Sequence, residues 1–166
     1  MGGLVTLTLA ADHPDVIDSI VVAAAAVQLA TVLAPGRPLH FLAPLVVRLL
    51  GQVDMPPIYA DPELAQYDTN YPWVPTDAVA SLFEFAEVTR QRLPEVRVPT
   101  LIMQSRRDST VAPKSADIIY NGISTPPDQK RIAWFEVTEH EMFRDCERDN
   151  TIGTVVDYVR ERVDLA

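Results

Sequence analysis

The sequence predicts an α/β fold of about three parallel strands with flanking helices and a helical insertion. Nearly continuous apolar runs, which are typical of strands covered on both faces, occur at 17–23, 98–104 and 131–137. Helical stretches separate these runs, and strands that alternate with helices form parallel sheets through crossover connections. The length of 166 residues, 48% of them hydrophobic, suits one domain with a sizeable core.

Helices are predicted between the strand-like runs. Residues 2–11 favour a helix that His13-Pro14 closes, because the residue before proline avoids the helical region. Another helix is predicted from Pro113 to Gly122, since proline suits a helix start and glycine a helix end. The last helix is predicted over about 151–163, with an inward stripe formed by Ile152, Val155, Val156, Val159 and Val163.

Residues 29–93 differ in composition from the rest of the chain and are predicted to form a helical lid. Prolines interrupt this stretch repeatedly, and helices are predicted only from about Leu39 to Leu50 and from Thr76, as N-cap, to Leu93. The stretch is too short to bury much apolar surface alone. We therefore interpret it as an insertion into an α/β core made of residues 1–28 and 94–166.

The charge balance argues against nucleic acids and anionic membranes as partners. Fourteen Lys and Arg residues against 23 Asp and Glu residues give a formal net charge of −9, which phosphate groups repel. The longest apolar run, 20–34, is too short to span a membrane. The single cysteine, Cys146, excludes internal disulfides and Cys-rich zinc sites. We expect a cytoplasmic protein that needs neither a metal nor a cofactor.

An acid and a histidine follow two neighbouring predicted strands. Asp108 lies in the polar loop after 98–104, and His140 lies in the polar loop after 131–137. Functional groups collect beyond the carboxyl ends of parallel strands, so these side chains are predicted to meet. A carboxylate that accepts the imidazole Nδ1–H would orient a catalytic base. From the residues alone, a turn-capping aspartate and a solvated histidine remain the alternatives.

Three segments resemble the α/β-hydrolase superfamily, in that family's chain order. The start, MGGLV, is similar to the residues after the nucleophile in a G-x-S-x-G elbow, and VPTLIMQSRRDSTV and FEVTEHEMFRDCERD resemble the segments that carry the acid and the histidine. The resemblance is closest to bacterial carboxylesterases and monoacylglycerol lipases and covers nearly the whole chain. It maps the catalytic acid onto Asp108 and the catalytic base onto His140.

The same resemblance places the nucleophilic serine immediately before Met1. The strand that leads to the elbow also has no counterpart, so we expect a C-terminal portion of the fold that is inactive by itself. The backbone N–H of Met1 matches an oxyanion donor, although a free N-terminus would carry an ammonium group there. Glu139 stands where the family usually has glycine.

The resemblance implies that the intact enzyme is a serine hydrolase acting on a small apolar carboxylic ester. Candidate acyl-pocket residues in the lid are Phe41, Leu45, Leu82 and Phe83, with ordinary lid packing as the alternative. A relative with an aspartate nucleophile, such as an epoxide hydrolase or a dehalogenase, is one alternative function. A non-catalytic interaction module is another. The predicted strand at 17–23 lacks a partner on one side, so self-association through this edge is a further expectation.

Overall fold

The computed structural model describes residues 1–163. Its α-helices are α1 (Gly2–Asp12), α2 (Ala43–Leu49), α3 (Thr76–Arg92), α4 (Lys114–Gly122) and α5 (Arg148–Val163). Its strands are β1 (Ile20–Ala23), β2 (Gln52–Asp54), β3 (Trp73–Pro75), β4 (Thr100–Ser105) and β5 (Lys130–Phe135). Strands β1, β4 and β5 form a parallel sheet in the order β1-β4-β5, which confirms the predicted fold class.

The central strand β4 is buried on both faces, as its apolar sequence predicts. Successive side chains of a strand point to opposite faces, so Ile102 joins one core while Leu101 and Met103 join the other. The larger core also contains apolar side chains of α1, α3 and α4. The smaller core contains Phe135 and Tyr158, which lie on β5 and α5. The sheet is therefore covered by helices on both faces.

Helix α1 approaches β1 so closely that only a glycine fits at the contact. A Cβ added to Gly3 would lie 2.6 Å from the Cβ of Ala25 and 2.9 Å from its Cα. A Cβ added to Gly2, one residue earlier, would have no neighbour within 4 Å. The missing side chain of Gly3 thus allows the start of α1 to pack against the backbone that follows β1.

The predicted inward stripe of the last helix is wrong. Helix α5 begins three residues earlier than predicted and buries Thr151 and Tyr158, with Val155 packed partly against the smaller core. By contrast, Ile152 and Val159 are both 47% exposed. The two buried residues, Thr151 and Tyr158, carry a hydroxyl and a phenol, whereas the prediction followed the spacing of aliphatic residues. It therefore placed the neighbouring face of the helix inward. Thr151 can face inward because its hydroxyl lies within hydrogen-bonding distance of two carbonyls, that of Met142 at 3.0 Å and that of Arg148 at 2.8 Å.

Residues 29–93, the predicted lid, contain a β-ribbon that the sequence did not predict. Strands β2 and β3 pair antiparallel, with Val53 opposite Val74. Thr76 is the first residue of α3, not its N-cap, and its hydroxyl donates to the Leu50 carbonyl, while Pro75 occupies the cap. Helix α3 in turn contributes Phe83 and Ala86 to the larger core. No helix within residues 1–163 is long and apolar enough to cross a membrane.

Asp68 organises the turn in the lid that precedes β3. Its carboxylate accepts hydrogen bonds from the Asn70 amide at 2.6 Å and the Tyr59 hydroxyl at 2.8 Å. The Asn70 bond lowers the pKa of Asp68, the Tyr59 bond and the Arg144 charge act in the same direction, and burial opposes them. For Tyr59, burial and this same bond raise the pKa to about 12.

We expect Gly3→Ala to lower the free energy of unfolding by about 1–3 kcal/mol, because the added methyl group overpacks a fixed backbone contact. Gly2→Ala is the matched control and should be neutral or stabilising by up to about 1 kcal/mol, since alanine favours helix and meets no neighbour. Urea unfolding of both variants measures the difference. Equal effects of the two substitutions would contradict the close packing of α1 on β1.

We expect the Asn70 amide resonance to titrate with a midpoint below about pH 3.9, the ordinary pKa of an aspartate. Because the pKa of Asp68 is lowered on folding, its stabilising contribution is fully present above that ordinary value and is lost as the pH falls through the lowered pKa. Amide NMR spectra recorded from about pH 6 to about pH 2 follow this transition. It should disappear in Asp68→Asn, and a midpoint at or above the ordinary aspartate pKa would contradict the assignment.

Candidate active site

Asp108 lies in the loop after β4 with its carboxylate completely buried. Its side chain has 0% exposure, and Oδ1 accepts the amides of Thr110 at 3.0 Å and Val111 at 2.7 Å. Its other oxygen, Oδ2, accepts Nε2–H of Gln104 at 2.9 Å. These donors compensate the loss of water around the charge and fix the direction in which the carboxylate points.

His140 meets this carboxylate from the loop after β5. Its Nδ1 lies 3.0 Å from Oδ2 of Asp108, and its side chain is 27% exposed. Strands β4 and β5 are adjacent and parallel, with Ser105 beside Phe135, so their following loops leave the same edge of the sheet. The two predicted side chains therefore lie within hydrogen-bonding distance, and the carboxylate can hold Nδ1 in its protonated form.

Further hydrogen bonds tie the two loops together. The amide and the hydroxyl of Ser109 both donate to Oε2 of Glu139, at 3.0 and 2.8 Å. The Ser105 hydroxyl donates to the Thr138 carbonyl and also accepts the Arg107 amide. Glu139 thus serves as an acceptor for the Asp108 loop. The contacts on both sides of the Asp108–His140 pair limit the relative movement of its two loops.

A cavity of about 340 Å³ borders His140. It lies between the start of α1, the residues at the end of β1 and the residues after His140. Ala24, in its wall, has a φ of 43°, a backbone conformation that is uncommon for a residue with a side chain. The lining residues are Met1, Gly2, Gly3, Thr6, Val21, Ala23, Ala24, His140, Glu141, Met142 and Phe143.

The lid residues predicted to bind an acyl chain lie elsewhere. Phe41 and Leu45 are exposed, at 72% and 53%. Phe83 is buried in the larger core, and Leu82 packs against the same core. None of the four lines the cavity beside His140, and their role in binding stays a prediction. Met1, the predicted oxyanion donor, does line it.

Gln104 belongs to the site, although sequence reasoning did not select it. It is a buried amide that directly follows the apolar run Leu101–Met103 in β4, and a glutamine at the end of such a run was a usable signal. The amides of Thr110 and Val111 had no such signal, because a backbone donor looks the same in every loop. Within residues 1–163, no group of three or more His, Cys, Asp or Glu side chains is placed to hold a metal ion.

We expect Gln104→Leu to lower the free energy of unfolding by about 1–3 kcal/mol, because it removes a donor from a buried carboxylate. Gln129→Leu replaces an exposed glutamine and is the matched control, with an expected effect within about 0.5 kcal/mol. Thermal or urea unfolding of the two variants provides the measurement. A loss as small as that of the control would show that Asp108 does not need the Gln104 amide.

The same fold and sequence pattern occur in known hydrolases. A monoacylglycerol lipase described as thermostable, from Bacillus sp. (strain H-257), is 33% identical over 125 residues, or 75% of this chain and 46% of the relative. A carboxylesterase of Bacillus subtilis is 30% identical over 87 residues, or 52% of this chain and 35% of the relative. The chain thus spans between a third and a half of the length of these relatives.

Solved structures show the same likeness over nearly the whole chain. A structure described under LipS and LipT, two metagenome-derived lipolytic enzymes, aligns with a TM-score of 0.81 and 25% identity, covering 97% of this chain and 62% of the other. A monoacylglycerol lipase of Paleococcus ferrophilus aligns with a TM-score of 0.75 and 17% identity, covering 96% and 65%. The second likeness shows the fold alone.

A family model described as serine aminopeptidase, S33, matches residues 1–147, a range that contains both Asp108 and His140. This range includes α1, segment 29–93 and the parallel sheet, and it ends at the residue before α5. The chain belongs to this serine aminopeptidase (S33) family of α/β-hydrolases.

Proposed function

We propose that this chain supplies the acid–base pair and the lid of a serine hydrolase that cleaves carboxylic esters. The observation that carries the proposal is the 3.0 Å contact between Nδ1 of His140 and the buried Oδ2 of Asp108. His140 also lines a cavity that the start of α1 borders. The chain spans only part of its relatives, so the activity of a whole enzyme is itself part of the proposal.

In the proposed reaction, a serine joined directly to Met1 attacks the ester carbonyl. Its hydroxyl proton passes to Nε2 of His140, while Asp108 accepts Nδ1–H and stabilises the imidazolium. The tetrahedral oxyanion accepts hydrogen bonds, with the backbone N–H of Met1 as one donor. His140 then returns the proton to the departing alkoxide, which leaves an acyl-serine. Water, deprotonated by the same histidine, releases the acid and regenerates the serine.

The family description names an aminopeptidase, but we propose ester rather than peptide substrates. Both relatives from Bacillus are named as ester-cleaving enzymes, one as a carboxylesterase and the other as a monoacylglycerol lipase. We further propose that the acyl group is apolar, because large apolar side chains, Met142 and Phe143, line the cavity beside His140.

The test compares the 166-residue chain with a form whose N-terminus is extended by the residues encoded upstream of Met1. We expect a fluorophosphonate probe to label a serine directly before Met1 in the extended form, and p-nitrophenyl esters to be hydrolysed faster than the matching p-nitroanilides. The 166-residue chain should show neither reaction. Mass spectrometry of the labelled peptide identifies the nucleophile.

Two histidine variants of the extended form control this test. His140→Ala should lower kcat by at least about 10³-fold, because it removes the general base. His13→Ala, at the end of α1, changes another histidine and should leave kcat nearly unchanged. Activity that survives His140→Ala would contradict the proposal. An aspartate before Met1 would instead favour an epoxide hydrolase or a dehalogenase.

A further inference from the structure

Asp145 is a buried carboxylate that the proposed reaction does not use. It lies five residues after His140 and is only 1% exposed. Its two oxygens accept five hydrogen bonds, an unusually complete set for one side chain. Burying a carboxylate costs free energy unless hydrogen bonds replace the water around it. The groups that donate these bonds therefore identify the segments that Asp145 holds together.

The donors to Asp145 come from two segments that are far apart in the sequence. In the lid, the amides of Ala60 and Asp61 donate to it at 2.9 and 3.3 Å. In the loop that carries His140, the Thr138 hydroxyl and the Glu139 amide donate to it at 3.2 and 2.7 Å. The fifth donor is the amide of the adjacent Cys146. One carboxylate therefore joins the lid to the residue immediately before His140.

The charge of Asp145 is maintained by the same contacts. Burial by itself would raise the pKa of its carboxyl, but the amides of Glu139, Ala60, Cys146 and Asp61 hold that pKa below its ordinary value. The ionised carboxylate offers only acceptors, which suits a site whose partners are all donors. An uncharged amide of the same shape could not satisfy both of its sides at once.

A second bridge between the same two segments lies beside the first. A guanidinium nitrogen of Arg144 donates to the Tyr67 carbonyl at 2.8 Å, and the guanidinium group lies 3.7 Å from the Asp68 carboxylate. Asp68 in turn accepts the Tyr59 hydroxyl. Two consecutive residues of the histidine loop thus bind opposite ends of lid segment 59–68.

We infer that Asp145 is a positioning residue that fixes lid segment 59–68 and the orientation of His140 together. Only a few contacts connect segment 59–68 to His140. The lid amides and the Glu139 amide share the carboxylate, Glu139 accepts two hydrogen bonds from Ser109, and His140 follows Glu139 directly. If segment 59–68 leaves, Asp145 loses two of its five donors, the amides of Ala60 and Asp61, and the Glu139–His140 backbone that shares the carboxylate gains freedom. Lid position and the Asp108–His140 contact are then coupled rather than independent.

NMR of the 166-residue chain tests this coupling without requiring a nucleophile, so the result is separate from that of the ester assay. In Asp145→Asn, amide hydrogen exchange at Ala60 and Asp61 should accelerate by about 10–100-fold, as expected for the loss of charge-assisted hydrogen bonds. Long-range ¹H–¹⁵N spectra should show His140 mainly as the Nδ1–H tautomer in the parent chain and as a mixture in the variant.

Asp61→Asn is the matched control. It removes one lid charge yet retains both the backbone amide that donates to Asp145 and a side-chain oxygen that can accept the Glu63 amide. It should change neither readout. Faster exchange in Asp145→Asn with an unchanged His140 tautomer would overturn the coupling, and so would unchanged exchange at Ala60 and Asp61.

A measurement on the unmodified chain keeps the inference testable even where Asp145→Asn does not fold. In low concentrations of urea, the amides of Ala60, Asp61 and Glu139 should lose protection together, within about threefold of one another, because one carboxylate holds all three. The His140 tautomer mixture should appear over the same urea range. Opening of the lid amides well before the Glu139 amide would show that the two segments are held independently.

Discussion

The parallel pairing of β4 with β5 is the constraint on which the candidate site depends. The two strands end together, with Ser105 beside Phe135, so an acid that follows one strand and a histidine that follows the other reach the same edge of the sheet. The loop geometry completes the arrangement, because three donors hold the Asp108 carboxylate and Nδ1 of His140 meets its Oδ2. A one-residue shift in register would point the neighbouring strand side chains to the wrong faces.

Segment 29–93, the predicted lid, is joined to this arrangement by two kinds of contact. Its last helix, α3, places Phe83 and Ala86 in the larger core, so one end of the insertion shares apolar packing with α1. Its middle segment is held by hydrogen bonds to charged groups, such as the bond that the Ala60 amide donates to the Asp145 carboxylate. Apolar packing tolerates small displacements, whereas hydrogen bonds to a buried charge depend on direction. The last helix and the middle segment of the lid therefore differ in how they would respond to movement.

The two faces of the parallel sheet are covered differently. Helices α1, α3 and α4 cover one face with a continuous core. On the other face, α5 contributes Tyr158, whose ring also contacts the guanidinium groups of Arg131 and Arg162. Ile152 and Val159, on the other side of α5, are exposed and belong to neither described core. Strand β1 likewise pairs with β4 on one side only within the described residues.

The sequence by itself determined the three strands of the parallel sheet, the helices α1 and α4 beside them and the proximity of Asp108 and His140, because these depend on local periodicity and on residues with distinctive chemistry. It also allowed the family to be recognised. Only the tertiary structure decided which face of α5 is buried, since the Thr151 hydroxyl finds the Met142 carbonyl outside its own helix and the Tyr158 ring packs beside Arg131. The β-ribbon in the lid and the five donors around Asp145 were also decided there, because backbone amides carry no signature in a sequence until the fold brings them to one charge.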